Sequence, residues 1–147
     1  MIFDHLDEAE HARNNIVAET IEDTKPSRWT TFGNASYEAH DDSIVMRGPN
    51  YIFVEIDCKP ATETEFSINV DHAGVANMQL QFFTVGGTAI SEPAIQDISG
   101  MVRKIAKVRA IAPAGTSKVR VLMYSPQSGD AVIFMNPTVR MRYRAKL

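Results

Sequence analysis

Residues 104–144 read KIAKVRAIAPAGTSKVRVLMYSPQSGDAVIFMNPTVRMRYR, and this stretch decides the fold class. Three segments within it, Lys104–Ala112, Lys118–Tyr124 and Ala131–Arg144, alternate or run apolar and are rich in β-branched residues. Two clusters separate them, Pro113-Ala114-Gly115-Thr116-Ser117 and Ser125-Pro126-Gln127-Ser128-Gly129-Asp130. Proline presets φ, glycine supplies φ > 0, and Ser or Asp side chains bond their own backbone, so each cluster is a turn by mechanism. Period-2 segments at short spacing with this punctuation indicate an antiparallel β-sandwich. No catalytic motif accompanies them, so surfaces decide what such a chain does.

The rest of the chain fits one domain of this kind. Its 147 residues form a single core of ordinary size, 44% hydrophobic and 22% charged, which is the composition of a globular chain. No apolar run is long enough to span a bilayer, so membrane insertion is not expected. The start, MIFDHLDEAEHARNN, is acidic and has no basic n-region or apolar h-region. The expectation is therefore cytoplasmic synthesis without a signal peptide. Cys58 is the only cysteine, which rules out an internal disulfide; within YIFVEIDC it reads as a small buried hydrophobe.

Charge is polarised along the chain. Residues 1–65 carry 14 acids and 5 Lys/Arg, whereas residues 66–147 carry 4 acids and 10 Lys/Arg. The asymmetry is either a solvated surface or head-to-tail complementarity between subunits, an acidic arm against a basic edge. Nucleic acid is not an expected partner, because the net charge is −3 and the cations are diluted among apolar residues.

Ile2, Phe3, Leu6, Ala9, Ala12, Ile16 and Val17 fall near a 3–4-residue spacing, which predicts a short amphipathic helix or a docked arm over residues 1–24. The expected organisation is an N-terminal arm, 1–27, and a sandwich, 28–147. Further strands are predicted at Arg28–Phe32, Tyr37–His40, Ser43–Arg47, Tyr51–Cys58, Glu65–Val70 and Met78–Thr84, with a hairpin turn at Val85–Thr88 and a polar connection over 91–103. Alternation assigns Ile52, Val54, Ile56, Phe66, Ile68, Val70, Met78, Leu80, Phe82, Val119, Val121, Met123, Val139, Met141 and Tyr143 to the core. The opposite parity holds aromatics, amides and charges, among them Phe53, Phe83, Arg120 and Leu122.

His5, Glu8 and His11 are three residues apart without the pattern of a zinc helix, and read as surface. Asp41-Asp42 and Asp71 fit solvated turns or calcium-binding turn carboxylates. No Gly-x-Ser-x-Gly, phosphate-cradling glycine loop or Cys-His pairing is present, so no enzyme activity and no cofactor are expected.

In order, Trp29, GPNYIFVEIDCKP, MQLQFFTVGGTAIS, APAGTSKVRVLMY and VIFMNPTVRM resemble the strand-and-turn pattern of carbohydrate-binding-module-like jelly-roll sandwiches. The likeness spans about residues 28–142 and is specific for architecture more than for ligand. Two departures stand out. Gly48-Pro49 reverses the usual Pro-Gly order, and Asn136-Pro137 stands where an acidic residue is usual, a region that in several members helps hold a structural calcium.

The resemblance implies an all-β, antiparallel jelly-roll and a non-catalytic role. Phages and phage-like gene-transfer particles use similar sandwiches as head decorations, spikes or fibre parts. A virion-like particle component is therefore the first expectation, with other particle subunits or a homo-oligomer contacted through the arm. A free-standing module binding cell-surface polysaccharide is the second, and an accessory subunit of a polysaccharide-acting enzyme the third. Trp29 and Tyr37 are candidate sugar platforms, although the early Trp of such modules can also sit in the core. Tyr51, Glu55, Asn69, Gln79, Gln81 and Tyr124 supply the amides, carboxylate and aromatic edges that suit a glycan. Phe3, Leu6, Phe53, Phe83, Leu122, Arg140, Arg142 and Arg144 are candidates for subunit contact.

Overall fold

The computed structural model describes residues 16–23, 30–32, 37–40, 43–46, 50–126 and 131–144. Eleven strands and no helix occur among them: β1 Ile16–Asp23, β2 Thr30–Phe32, β3 Tyr37–His40, β4 Ser43–Met46, β5 Asn50–Asp57, β6 Glu63–His72, β7 Asn77–Phe83, β8 Ala94–Asp97, β9 Val102–Ile111, β10 Lys118–Ser125 and β11 Val132–Arg144. They form two antiparallel sheets. The five-stranded sheet runs β2-β5-β10-β7-β8, and the six-stranded sheet runs β3-β4-β11-β6-β9 with β1 also on β11. From β4 onward the chain crosses repeatedly between the sheets, as a jelly roll does, so its pairings are mostly between segments remote in sequence.

The alternation that predicts the strands also builds the core. β6 repeats half-buried and buried positions through Val70, and β7 and β10 alternate likewise. Phe66, Ile68, Met78, Leu80, Val119, Val121, Met123 and Val139 are at most 1% exposed and pack in one cluster with Ile44, Met46 and Phe134. The expected inner set is buried throughout except for Tyr143, which is half-buried with the Lys59 ammonium 5.7 Å from its ring centroid. Cys58 is buried as read, and burial pushes its thiol pKa up. The four buried hydroxyl residues are placed so that polar atoms find partners. Thr116 donates to the Pro113 carbonyl at 2.7 Å, and Ser125 to that of Val75 at 3.0 Å.

Turn chemistry behaves as the residues dictate. Gly87 and Gly115 sit at φ +85° and +88°, closing the two turns predicted around them. β11 bends at Asn136-Pro137. Asn136 adopts φ 52°, the register with β6 shifts between Met135 and Thr138, and the strand's partner on its other side changes from β4 to β1.

Two expectations are corrected. Of the two readings of residues 1–24, helix or docked arm, the helix does not hold for Ile16–Asp23, which is a strand paired with β11 from Ile16↔Arg144 to Asp23↔Thr138. Its β-branched residues Ile16, Val17, Thr20 and Ile21 suit a pleated surface, and β11 offers backbone groups that need partners. This segment is therefore a strand of the sandwich's own sheet, and residues 1–15 lie outside the described residues. The polar connection over 91–103 contains β8 and the start of β9. β8 is short and exposed, so burial leaves almost no apolar periodicity there to read.

Candidate functional site

The outward face of the five-stranded sheet gathers most of the residues expected to touch a glycan. Register places Tyr124 between Tyr51 and Asn77, Leu122 between Phe53 and Gln79, and Arg120 between Glu55 and Gln81. Lys118 lies between Asp57 and Phe83, completing four rungs across β5, β10 and β7. β8 adds Ile95 beside Gln79 and Asp97 beside Asn77.

Arg120 organises the centre. Its Nη2 donates to Glu55 Oε1 at 2.8 Å, and its guanidinium carbon lies 4.4 Å from the Phe53 ring centroid and 4.7 Å from that of Phe83. The planar cation thus stacks on two aromatic rings while one edge pairs with a carboxylate. Its Nε is buried without an acceptor, so the aromatic contacts offset a lost hydrogen bond.

The amides on either side are oriented. Gln81 Nε2 donates to the Ser91 carbonyl at 2.6 Å, and Gln79 Nε2 to Asn77 Oδ1 at 2.9 Å. These bonds hold both glutamine amides in place beside the Glu55 carboxylate that Arg120 pairs. At the β8 end, hydrogen bonds from the Ser99 hydroxyl and amide hold the Asp97 carboxyl below its ordinary range. The face is therefore a row of two held amides and a paired carboxylate bordered by Tyr51 and by Tyr124, which is 36% exposed. That chemistry receives hydroxyl donors and stacks apolar C–H surface.

Asn69 stands apart from this set. It lies on β6 in the other sheet, paired with Met135 and Ile105, and cannot share a ligand with Tyr51 or Gln81. Alternation along a strand reports a side chain's parity but not which sheet the strand joins. Tyr37 pairs with Met46 in the six-stranded sheet, away from the amide row. Trp29, Phe3 and Leu6 lie outside the described residues, as do the Asp41-Asp42 pair and the side chain of Arg144. Phe53, expected as a contact residue, is only 8% exposed because neighbours including Arg120 already cover it. Phe83 and Leu122 are half-buried, and Arg140 and Arg142 face outward on β11. Arg120 and the β8 residues are the additions. Arg120 was recognisable as an outward residue, but its pairing with Glu55, 65 positions away, required the register. Among the described residues no cluster of three or more His, Cys, Asp or Glu could hold a metal ion.

The chain superposes on the structure of a family 22 carbohydrate-binding module and its family 10 catalytic module from Clostridium thermocellum xylanase, complexed with xylohexaose. The TM-score is 0.64 at 13% identity, covering 90% of this chain and 29% of that one. The fold is that of a carbohydrate-binding-module-like jelly roll. The xylan-binding family 22 module of a Paenibacillus barcinonensis xylanase matches at TM-score 0.62 and 11% identity, over 86% of this chain and 95% of the module. The enzymatically active domain of tailspike protein 4 from bacteriophage CBA120 matches at TM-score 0.58 and 16% identity, over 87% of this chain and 20% of the tailspike. This jelly roll thus spans about a fifth of the tailspike chain and under a third of the xylanase chain. No family model matches the sequence, and no curated protein does. At these identities the likeness is one of architecture.

Proposed function

We propose that this protein is a non-catalytic attachment module that binds polysaccharide through the outward face of its five-stranded sheet. The observation that carries the reading is the row of hydrogen-bonded side chains Glu55, Gln79 and Gln81 between Tyr51 and Tyr124, on a sandwich whose architecture matches xylan-binding modules. Side chains held by the protein's own hydrogen bonds need little ordering when a sugar arrives, which favours affinity. Affinity electrophoresis through gels containing soluble neutral polysaccharides, xylan included, tests it. Retardation removed by Gln81→Ala and by Tyr124→Ala supports the reading. Failure of every such polysaccharide to retard the folded chain overturns it.

Placement on a phage-like particle is a second reading, favoured by the tailspike architecture and by the acidic and basic halves of the sequence. It predicts self-association or co-purification with a large particle. Size-exclusion chromatography with light scattering and sedimentation of native extracts decide it: a monomer at every concentration that never sediments with a particle removes this placement.

A further inference from the structure

The outward face of the six-stranded sheet has a different chemistry. Register sets Arg142 opposite Glu63 and Glu63 opposite Ile111, then Arg140 opposite Glu65 and Glu65 opposite Arg109, then Thr138 opposite Ser67 and Ser67 opposite Lys107. An open depression of about 380 Å³ lies over these rungs, within the range of small-ligand sites. Four cations line it, Lys107, Arg109, Arg140 and Arg142, against the carboxylates of Glu63 and Glu65. Glu65 is the shared counter-ion of Arg109 and Lys107, and it holds two long side chains over the depression although they are 71% and 48% exposed. Farther along β6, a second depression of about 250 Å³ is lined by Asn69, Asp71, Arg103, Lys104, Ile105 and Met135. Glu63 to Asn69 spans about 20 Å of strand, so the two depressions follow one line along β6.

We propose that this line is a second binding site, for an anionic polysaccharide bearing carboxylate or sulfate groups. Among the described lining residues cations exceed acids in both depressions, and arginine forks recognise such groups in pairs of parallel hydrogen bonds. The interleaved carboxylates select the polymer further. Glu63 and Glu65 accept from the hydroxyls that lie between the anionic groups of such a polymer. The exposed apolar side chain of Ile111 offers C–H surface beside them. Nucleic acid fits poorly, because among the described residues no aromatic ring lines either depression for base stacking, and the chain's net charge is −3. On the far side of β11, β1 places Glu19 at the register position of Arg142 and Asp23 at that of Thr138.

The proposal is independent of the amide row on the other sheet, and the test separates the two. Binding of the full chain to polygalacturonate, heparin, neutral xylan and a double-stranded DNA oligomer is measured at low salt and again at about 500 mM salt. Binding to polygalacturonate or heparin is expected, lost at high salt, and weakened roughly tenfold by Lys107→Gln with Arg109→Gln as two charge-assisted contacts disappear. Which of the two polymers binds distinguishes carboxylate from sulfate. The double variant keeps its melting temperature, since both side chains are largely exposed, and Gln81→Ala leaves anionic binding unchanged. Absence of binding to both anionic polymers, equal or tighter binding to DNA, salt-insensitive binding, or an unaffected double variant would each overturn the proposal.

Discussion

The guanidinium carbon of Arg120 lies over Phe53, 4.4 Å from the ring centroid, while Phe83 on the next strand flanks it at 4.7 Å. An outward-facing phenylalanine is thereby covered by a charged residue of its own chain, and the cation is in turn paired with Glu55. Arg120→Lys keeps the charge but loses the planar stack and the fork. The expected cost is about 1 kcal/mol, read as a lower melting temperature, and Arg120→Ala exceeds it by exposing Phe53 and leaving Glu55 unpaired. A lysine variant as stable as the parent would show that the stack contributes nothing.

Phe66 is the test of the core. It has no exposed surface and sits between Val139 and Val108 in the middle of the six-stranded sheet. Phe66→Ala removes most of a large side chain from a packed interior, at a cost of about 3–5 kcal/mol. Denaturant titration should show a greatly lowered midpoint, against total domain stabilities of about 5–15 kcal/mol.

Asn136 sets the bend in β11 and holds a left-handed backbone at φ 52°. Asparagine tolerates this region and glycine occupies it freely, whereas a β-branched side chain clashes with its own carbonyl. Asn136→Gly is expected to be near neutral, and Asn136→Val to cost about 1–2 kcal/mol. Equal stability of the two variants in thermal melts would remove backbone strain as the reason for the residue.

β9 ends the six-stranded sheet and, among the described residues, pairs on one side only, with β6. Val102, Ile105 and Ile111 along it are each more than half exposed, which would template sheet-to-sheet association without the interspersed Arg103, Lys104, Lys107 and Arg109. Lys104→Val should leave the melting temperature almost unchanged yet raise light scattering on storage at high concentration.

Cys58 links stability to alkaline pH. Burial disfavours the thiolate, so the folded chain holds this proton more tightly than the unfolded chain does. Below the ordinary thiol value of 9.0 the contribution is fully present, and it is lost as pH rises from there toward the raised folded value. Cys58→Ala should flatten this decline in urea midpoints measured between neutral and alkaline pH. Thiol reagents should label the folded chain slowly and the unfolded chain at the free-cysteine rate.

Strand positions and inward residues were readable because a half-buried strand writes its burial into the sequence at a period of two. Ile52, Val54 and Ile56, or Val119, Val121 and Met123, need no partner to be recognised. Where burial is slight the signal fades. β8 and the exposed beginning of β9 passed for a connection, and Ile16–Asp23 resembled the tail of an amphipathic segment until β11 supplied an edge for it. The candidate glycan face was half legible: its residues were known to face outward, while their grouping was not.

The sequence alone determined that the chain is antiparallel β, which side chains fill the interior, where the turns fall, and that positive charge collects in its second half. All of these are local properties of backbone sterics, side-chain polarity and alternation. Only the tertiary structure decided that Asn69 belongs to a different surface from Gln79, that Arg120 meets Glu55 and two phenylalanines, and that Arg109, Arg140 and Glu65 share one depression. Such neighbours come from strands far apart in the chain, and the register that joins them is set by the collective packing of two sheets.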